Sequence, residues 1–178
     1  MSLPLRSIAN GLTVARAVAG LPLVIALQLG WQGWAWWLLL LAGLSDAADG
    51  WLARRAGGGS SWGARLDPLT DKVLIAAPLL WLASIAVLPL WAVWLLLARE
   101  LLISGWRAQA SDGAPASLSG KAKTILQFVS LLLMLWPSGW IGSPWLPSLG
   151  WWLFWPSLAL ALSSALAYIT PRSAPRQN

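Results

Sequence analysis

The chain contains neither cysteine nor histidine. Disulfides, thiolate metal centres and imidazole chemistry are therefore excluded, and any bound metal must take oxygen ligands. That restriction favours hard ions, magnesium or manganese first. Charge is scarce as well, with 10% of residues charged, six of them acidic and twelve basic. A net charge of +6 would suit nucleic acid, but the basic residues lie scattered between apolar stretches and build no polar basic surface. No nucleic-acid partner is expected.

What fills the chain instead is apolar: 58% hydrophobic residues, 16 tryptophans and a mean hydropathy of +0.66. This composition predicts an all-α, polytopic membrane protein. Met1 to Ala9 has one basic residue and no small-residue cleavage site, so no removable signal peptide is expected. A first span is predicted from Asn10 to Leu29, a turn over Gln28 to Gly33, and a second span from Trp34 into the first aspartates. Two spans and a turn need roughly 43 residues, whereas the charge-free stretch Ala17 to Ser45 has 29. The polar flanks must therefore enter the membrane. The next hairpin repeats this, with 26 charge-free residues from Val73 to Ala98 and a turn near Val87 to Pro89. The last hairpin has 48, from Thr124 to Pro171, with a turn expected over Trp136 to Gly150.

Six transmembrane helices result, in one domain over residues 1–170, followed by a disordered tail at 171–178. Gln109 to Gly120 reads as a polar loop. All twelve Lys and Arg fall at one end of the spans, and the positive-inside rule then makes both termini cytoplasmic, in a cytoplasmic (inner) membrane. Most tryptophans fall near the opposite turns, as an interfacial belt. Ionised groups in lipid cost about 2.5–3.5 kcal/mol each, so the charged flanks should share a polar chamber open to the cytoplasmic side.

The densest of these flanks, Ser45 to Lys72, holds four of the six acids: Asp46, Asp49, Asp67 and Asp71. They form an i,i+3 and an i,i+4 pair, and on helices either spacing puts both carboxylates on one face. Gly50, Gly63 and the run Gly57 to Gly59 allow close approach of backbone to a ligand. Arg54 is expected on phosphate, while Arg55 and Arg65 serve either phosphate or topology. Asn10, Thr13 and Arg16 recur every three residues on one helical face, suiting either hydrogen bonds to a ligand or helix packing.

The aspartate stretch resembles the signature of the CDP-alcohol phosphatidyltransferases, D-x2-D-G-x2-A-R-x8-G-x3-D-x3-D. Asp46, Asp49, Gly50, Ala53, Arg54, Gly63, Asp67 and Asp71 fill every fixed position. NGLTVARAVAGLP, ARELLISGWR and GKAKT further look like the members that form phosphatidylglycerol phosphate. The resemblance implies transfer of the phosphatidyl group of CDP-diacylglycerol to glycerol 3-phosphate with release of CMP. It implies Mg2+ or Mn2+ on Asp46, Asp49 and Asp67, with Asp71 as general base and further metal ligand. Gly50, Ala53, Arg54 and Gly63, with Asn10 and Thr13, would bind the donor. A homodimer among membrane lipids is also implied.

An acceptor phosphate needs cations, and Arg99, Arg107, Lys121 and Lys123 could supply them. Topological charge is the other role open to these four. Other acceptors, inositol phosphate or serine, would fit the same signature. An ion or proton transporter would also bury acids but needs access from both sides, and the opposite turns carry no charge. A scaffold would leave the buried acids unexplained.

Overall fold

The computed structural model describes the backbone of residues 3–55, 61–109 and 118–169, and side chains over 11, 14–16, 18–45, 70, 72–105 and 122–166. The expected tail at 171–178 and most of the expected polar loop lie outside these. Among the described residues there is no strand. Six helices follow one another: α1 (Leu3–Gln28), α2 (Gln32–Arg55), α3 (Ser61–Ser84), α4 (Leu90–Gln109), α5 (Leu118–Met134) and α6 (Leu146–Ile169).

The turns explain where the helices stop. At the end of α1 Gly30 takes a left-handed φ of 75°. Its N–H reaches the Leu27 carbonyl and the Trp31 N–H the Ala26 carbonyl, which closes the helix with a Schellman motif. The end of α3 repeats the pattern with Ala86 at φ 58°, where Ala86 N–H donates to Ala83 and Val87 N–H to Leu82. Pro89 then opens α4. Three boundaries differ from expectation, the first being that α1 begins at Leu3 and not at Asn10. The last turn is shorter, because α6 begins at Leu146; Pro147 in its first turn lacks an N–H that would have no helical partner there. At the other end α5 already begins at Leu118, inside the expected loop.

Packing departs from three equal hairpins. The α5–α6 pair is the most extensive, followed by α1 with α2 and α1 with α3, whereas α3 and α4 meet over a smaller area. The central partner is thus α1, with the two aspartate-bearing helices on it. Leu23, Leu39, Leu79, Leu82, Leu96, Leu131 and Phe154 form the fully buried core. Small residues set the closest crossings. A Cβ on Gly150 would lie 2.6 Å from the Met134 nitrogen and 2.7 Å from the Ser130 carbonyl oxygen, and Ser130 Oγ donates to the Gly150 carbonyl at 2.7 Å.

Apolar side chains also face outward on every helix: Leu21, Leu41, Leu80, Leu102, Ile125 and Leu166 are each more than half exposed. Among the described residues one helix segment, Leu146–Leu166, is by itself long and apolar enough to cross a membrane; the apolar runs Val14–Gln28, Lys72–Ser84 and Ala122–Met134 are shorter. The opposite end is knit by tryptophan. Trp36 meets Trp37, Trp136 and Trp140 edge-on, with centroids 5.1–5.3 Å apart, and its indole N–H donates to the Leu132 carbonyl. Trp151 does likewise to Val87. Trp34, Trp94 and Trp152 remain outside. The tryptophans therefore divide into an outer belt and an inner clasp between turns.

Gly150→Ala should lower stability by about 1–3 kcal/mol, since two backbones must separate. Gly105→Ala, with nothing within 4 Å of the new Cβ, should be neutral or raise stability by about 0.5–1 kcal/mol. Unfolding of the purified variants in detergent checks the contrast.

Candidate active site

The helices bring the signature positions to one end of the bundle. Asp46, Asp49, Gly50, Ala53 and Arg54 fall in the last turns of α2, and Gly63, Asp67 and Asp71 in the first half of α3. Asn10 and Thr13 belong to the first half of α1, Arg107 to the end of α4 and Lys121 to the start of α5. The side chains of these twelve lie outside the described residues. Their backbone is helical, so the i,i+3 and i,i+4 acid pairs have the geometry their spacing requires. Because α1 packs on both α2 and α3, the two acid-bearing helices flank a common neighbour.

The described part of this end is a hydrogen-bonded seam across α3, α4, α5 and α6. At its centre Glu100 Oε1 accepts from Arg99 Nη1 at 2.9 Å and from the Lys123 ammonium. Arg99 also donates from Nε to the Ala161 carbonyl at 2.8 Å and from Nη2 to Ser164 Oγ at 2.6 Å. Its guanidinium therefore ties α4 to α6. One turn further along α4, Ser104 Oγ meets the Lys72 ammonium and donates to the Glu100 carbonyl at 2.6 Å. Lys72 follows Asp71 directly in the chain. Arg16, on the face shared with Asn10 and Thr13, is 2% exposed, and Thr70 and Gln127 are buried nearby in sequence to the acids and lysines.

Two of the four cations expected at an acceptor phosphate are thus described, and both already meet Glu100. That partner was visible only in part. Glu100 is the one acid in α4, so a neighbouring cation was a fair expectation, but Ser104 and Ser164 carry no sequence signal. They are ordinary small residues in apolar helices, and their partners lie 32 and 65 positions away.

The donor chemistry of the chain fits a hard divalent ion. With histidine and cysteine absent carboxylates are its main metal-binding groups, and both acid pairs sit on helical backbone at one end. Asp46, Asp49, Asp67 and Asp71 are the residues that would hold it.

Comparison with known proteins places this geometry in a class. Residues 6–163 match the model of the CDP-alcohol phosphatidyltransferases, and the chain belongs to that family. Its relatives carry more than one name. It is 39% identical over 150 residues to a cardiolipin synthase (CMP-forming) of Streptomyces coelicolor, covering 77% of this chain and 69% of that one. A probable phosphatidylglycerophosphate synthase of Mycobacterium tuberculosis is 37% identical over 139 residues, 74% of this chain and 66% of its own. The CDP-diacylglycerol--glycerol-3-phosphate 3-phosphatidyltransferase of Escherichia coli K12 is 33% identical over 161 residues, 83% and 84%.

Removing the shared carboxylate would leave two low-exposure cations facing each other. Glu100→Gln should cost on the order of 3 kcal/mol of stability, whereas Ser164→Ala, which removes one hydrogen bond to a charged group, should cost about 1.5 kcal/mol. Equal melting temperatures for the two variants in detergent would contradict this ranking.

Proposed function

We propose that the chain is an integral membrane enzyme that transfers the phosphatidyl group of CDP-diacylglycerol to glycerol 3-phosphate, forming phosphatidylglycerol phosphate and CMP. The observation that carries the reading is the complete family signature, set on two helices that share α1 as neighbour. The outward apolar side chains of all six helices support a bilayer as surroundings. The concentration of Lys and Arg at the signature end supports a cytoplasmic active site with both termini on that side. A homodimer belongs to the reading through the family resemblance.

The reaction follows from the residues. Asp71 takes the proton of the acceptor hydroxyl as that oxygen attacks the lipid-side phosphorus of the donor. The bond from this phosphorus to the bridging oxygen breaks, and its electron pair leaves with CMP. Asp46, Asp49, Asp67 and Asp71 would hold Mg2+ or Mn2+, which would supply charge neutralisation for the pyrophosphate and the departing CMP. Gly50, Ala53 and Gly63 give the nucleotide room beside the helices, with Asn10, Thr13 and Arg54 on its polar groups. Arg107 and Lys121 hold the acceptor's phosphate; Arg99 and Lys123 flank them on Glu100. Throughout, the acyl chains stay in the leaflet.

A second reading has one observation in its favour, the cardiolipin synthase name of the Streptomyces coelicolor relative. There the acceptor would be the glycerol headgroup of a phosphatidylglycerol lipid, a phosphodiester with one negative charge. A transporter is less well supported. At the uncharged end a cavity of about 330 Å3, lined by Gln32, Trp81, Met134, Trp136 and Ser138 among others, has no ionisable residue in its wall.

Purified protein in mixed micelles with CDP-diacylglycerol should turn over labelled glycerol 3-phosphate, lose activity to chelators and regain it with magnesium or manganese. Arg107→Ala and Lys121→Ala should each raise the acceptor KM about tenfold, the equivalent of one charge-assisted hydrogen bond, with the donor KM little changed. Turnover of phosphatidylglycerol alone would select the second reading, and of inositol phosphate or serine alone another acceptor class.

A further inference from the structure

The seam around Glu100 links the two halves of the reaction. Glu100, Ser104 and position 107 are spaced i, i+4, i+7, so they fall on one stripe of α4. The stripe reaches in two directions. Ser104 meets the ammonium of Lys72, the residue after Asp71 on α3. Glu100 meets the ammonium of Lys123, two residues after Lys121 on α5. On its far side Arg99 anchors the same stretch of α4 to the Ala161 carbonyl and Ser164 of α6. Direct packing between α3 and α5 is slight compared with the α5–α6 and α1–α3 pairs. Among the described residues the backbones of α4 and α5 do not pack directly on each other, so it is the Glu100–Lys123 ion pair that ties α5 to α4, and the side-chain route from the turn of Asp71 to that of Lys121 runs through Ser104 and Glu100.

We infer that Glu100 and Ser104 are positioning residues that hold the general base and the acceptor clamp in register across α4. The inference rests on the phosphatidyltransferase reading and adds residues that touch neither donor nor acceptor. Ser104 restrains the backbone turn that carries Asp71, while Glu100 restrains the first turn of α5 that carries Lys121. Lys123 is thereby a tether of α5 to α4, with its charge matched by Glu100 and not by the acceptor.

Two opposite expectations separate this from a direct role of Lys123 on phosphate. If Lys123 were itself an acceptor ligand, Glu100→Gln would free its charge and lower the acceptor KM. If it is a tether, Glu100→Gln loosens α5 and raises that KM, by roughly ten- to hundredfold for a shift of about 1 Å, leaving the donor KM unchanged. Ser104→Ala should lower kcat with the acceptor KM unchanged, because it moves Asp71 and not the acceptor clamp. Ser164→Ala, on the anchoring side, should leave all three constants near wild type.

Initial rates are measured with CDP-diacylglycerol and whichever of glycerol 3-phosphate or phosphatidylglycerol the wild type uses, after each variant is shown to be monodisperse in detergent. The split just described is the expected result. An acceptor KM that falls or stays constant in Glu100→Gln, or a kcat unchanged in Ser104→Ala, overturns the proposal. Should Glu100→Gln not be recovered folded, Lys123→Arg, which keeps charge and donor, must preserve the acceptor KM within twofold or so while Lys123→Met raises it, and Ser104→Ala must still lower kcat. Loss in Lys123→Arg equal to that in Lys123→Met overturns the tether. A wild type that turns over neither acceptor overturns the functional reading, and this inference with it; turnover by wild type with uniform losses in every variant overturns this inference alone.

Discussion

An ionised side chain enclosed by apolar helices costs several kcal/mol unless a counter-charge and hydrogen bonds compensate it. In this bundle one carboxylate oxygen, on Glu100, compensates two cations from two helices. The arrangement works only because Arg99 finds further acceptors on α6, at Ala161 and Ser164. Three helices thus converge at the polar end through side-chain hydrogen bonds, where their apolar packing has run out. The Trp36 and Trp151 indoles do the corresponding work at the other end, and between them the leucine core fills the middle.

That division of labour shapes function. The charged end can hold acids and bases close to one another only if its helices do not drift, and apolar contacts alone allow helices to slide. Directional bonds from α4 to α3, α5 and α6 remove that freedom. The outer surface has the opposite character, with leucines and isoleucines facing outward on all six helices. Such a surface suits a substrate whose reacting phosphate must enter a polar end while its acyl chains remain in lipid.

Much of this is legible in the residues before any fold is known. The turns near Gly30 and Pro89 were marked by glycine, proline and the lack of charge, the two acid pairs by their spacing, and the eight signature positions by their match to the family signature. The early starts of α5 at Leu118 and α6 at Leu146 were hidden, since polar or proline-rich sequence in a first helical turn looks like loop. The pairing of α3 with α1 was hidden too, because chain order suggests hairpins, whereas the choice of partner depends on small residues such as Gly20, whose Cβ position lies 3.5 Å from the Val73 carbonyl oxygen. Arg99 and Lys123 could be read as charge awaiting a ligand; that both would share Glu100 follows from a crossing of helices that no local pattern encodes.

In the proposed transfer the bond broken lies between the lipid-side phosphorus and the oxygen that leaves with CMP. CDP-diacylglycerol labelled separately in the lipid-side phosphate and in the cytidine, followed through a single round of turnover with acceptor present and absent, tests this. The phosphate label is expected in the product lipid and the cytidine label in CMP, in equal amounts, with little release of CMP without acceptor. Phosphate label recovered in a water-soluble nucleotide, or CMP released at the same rate with no acceptor, would contradict it.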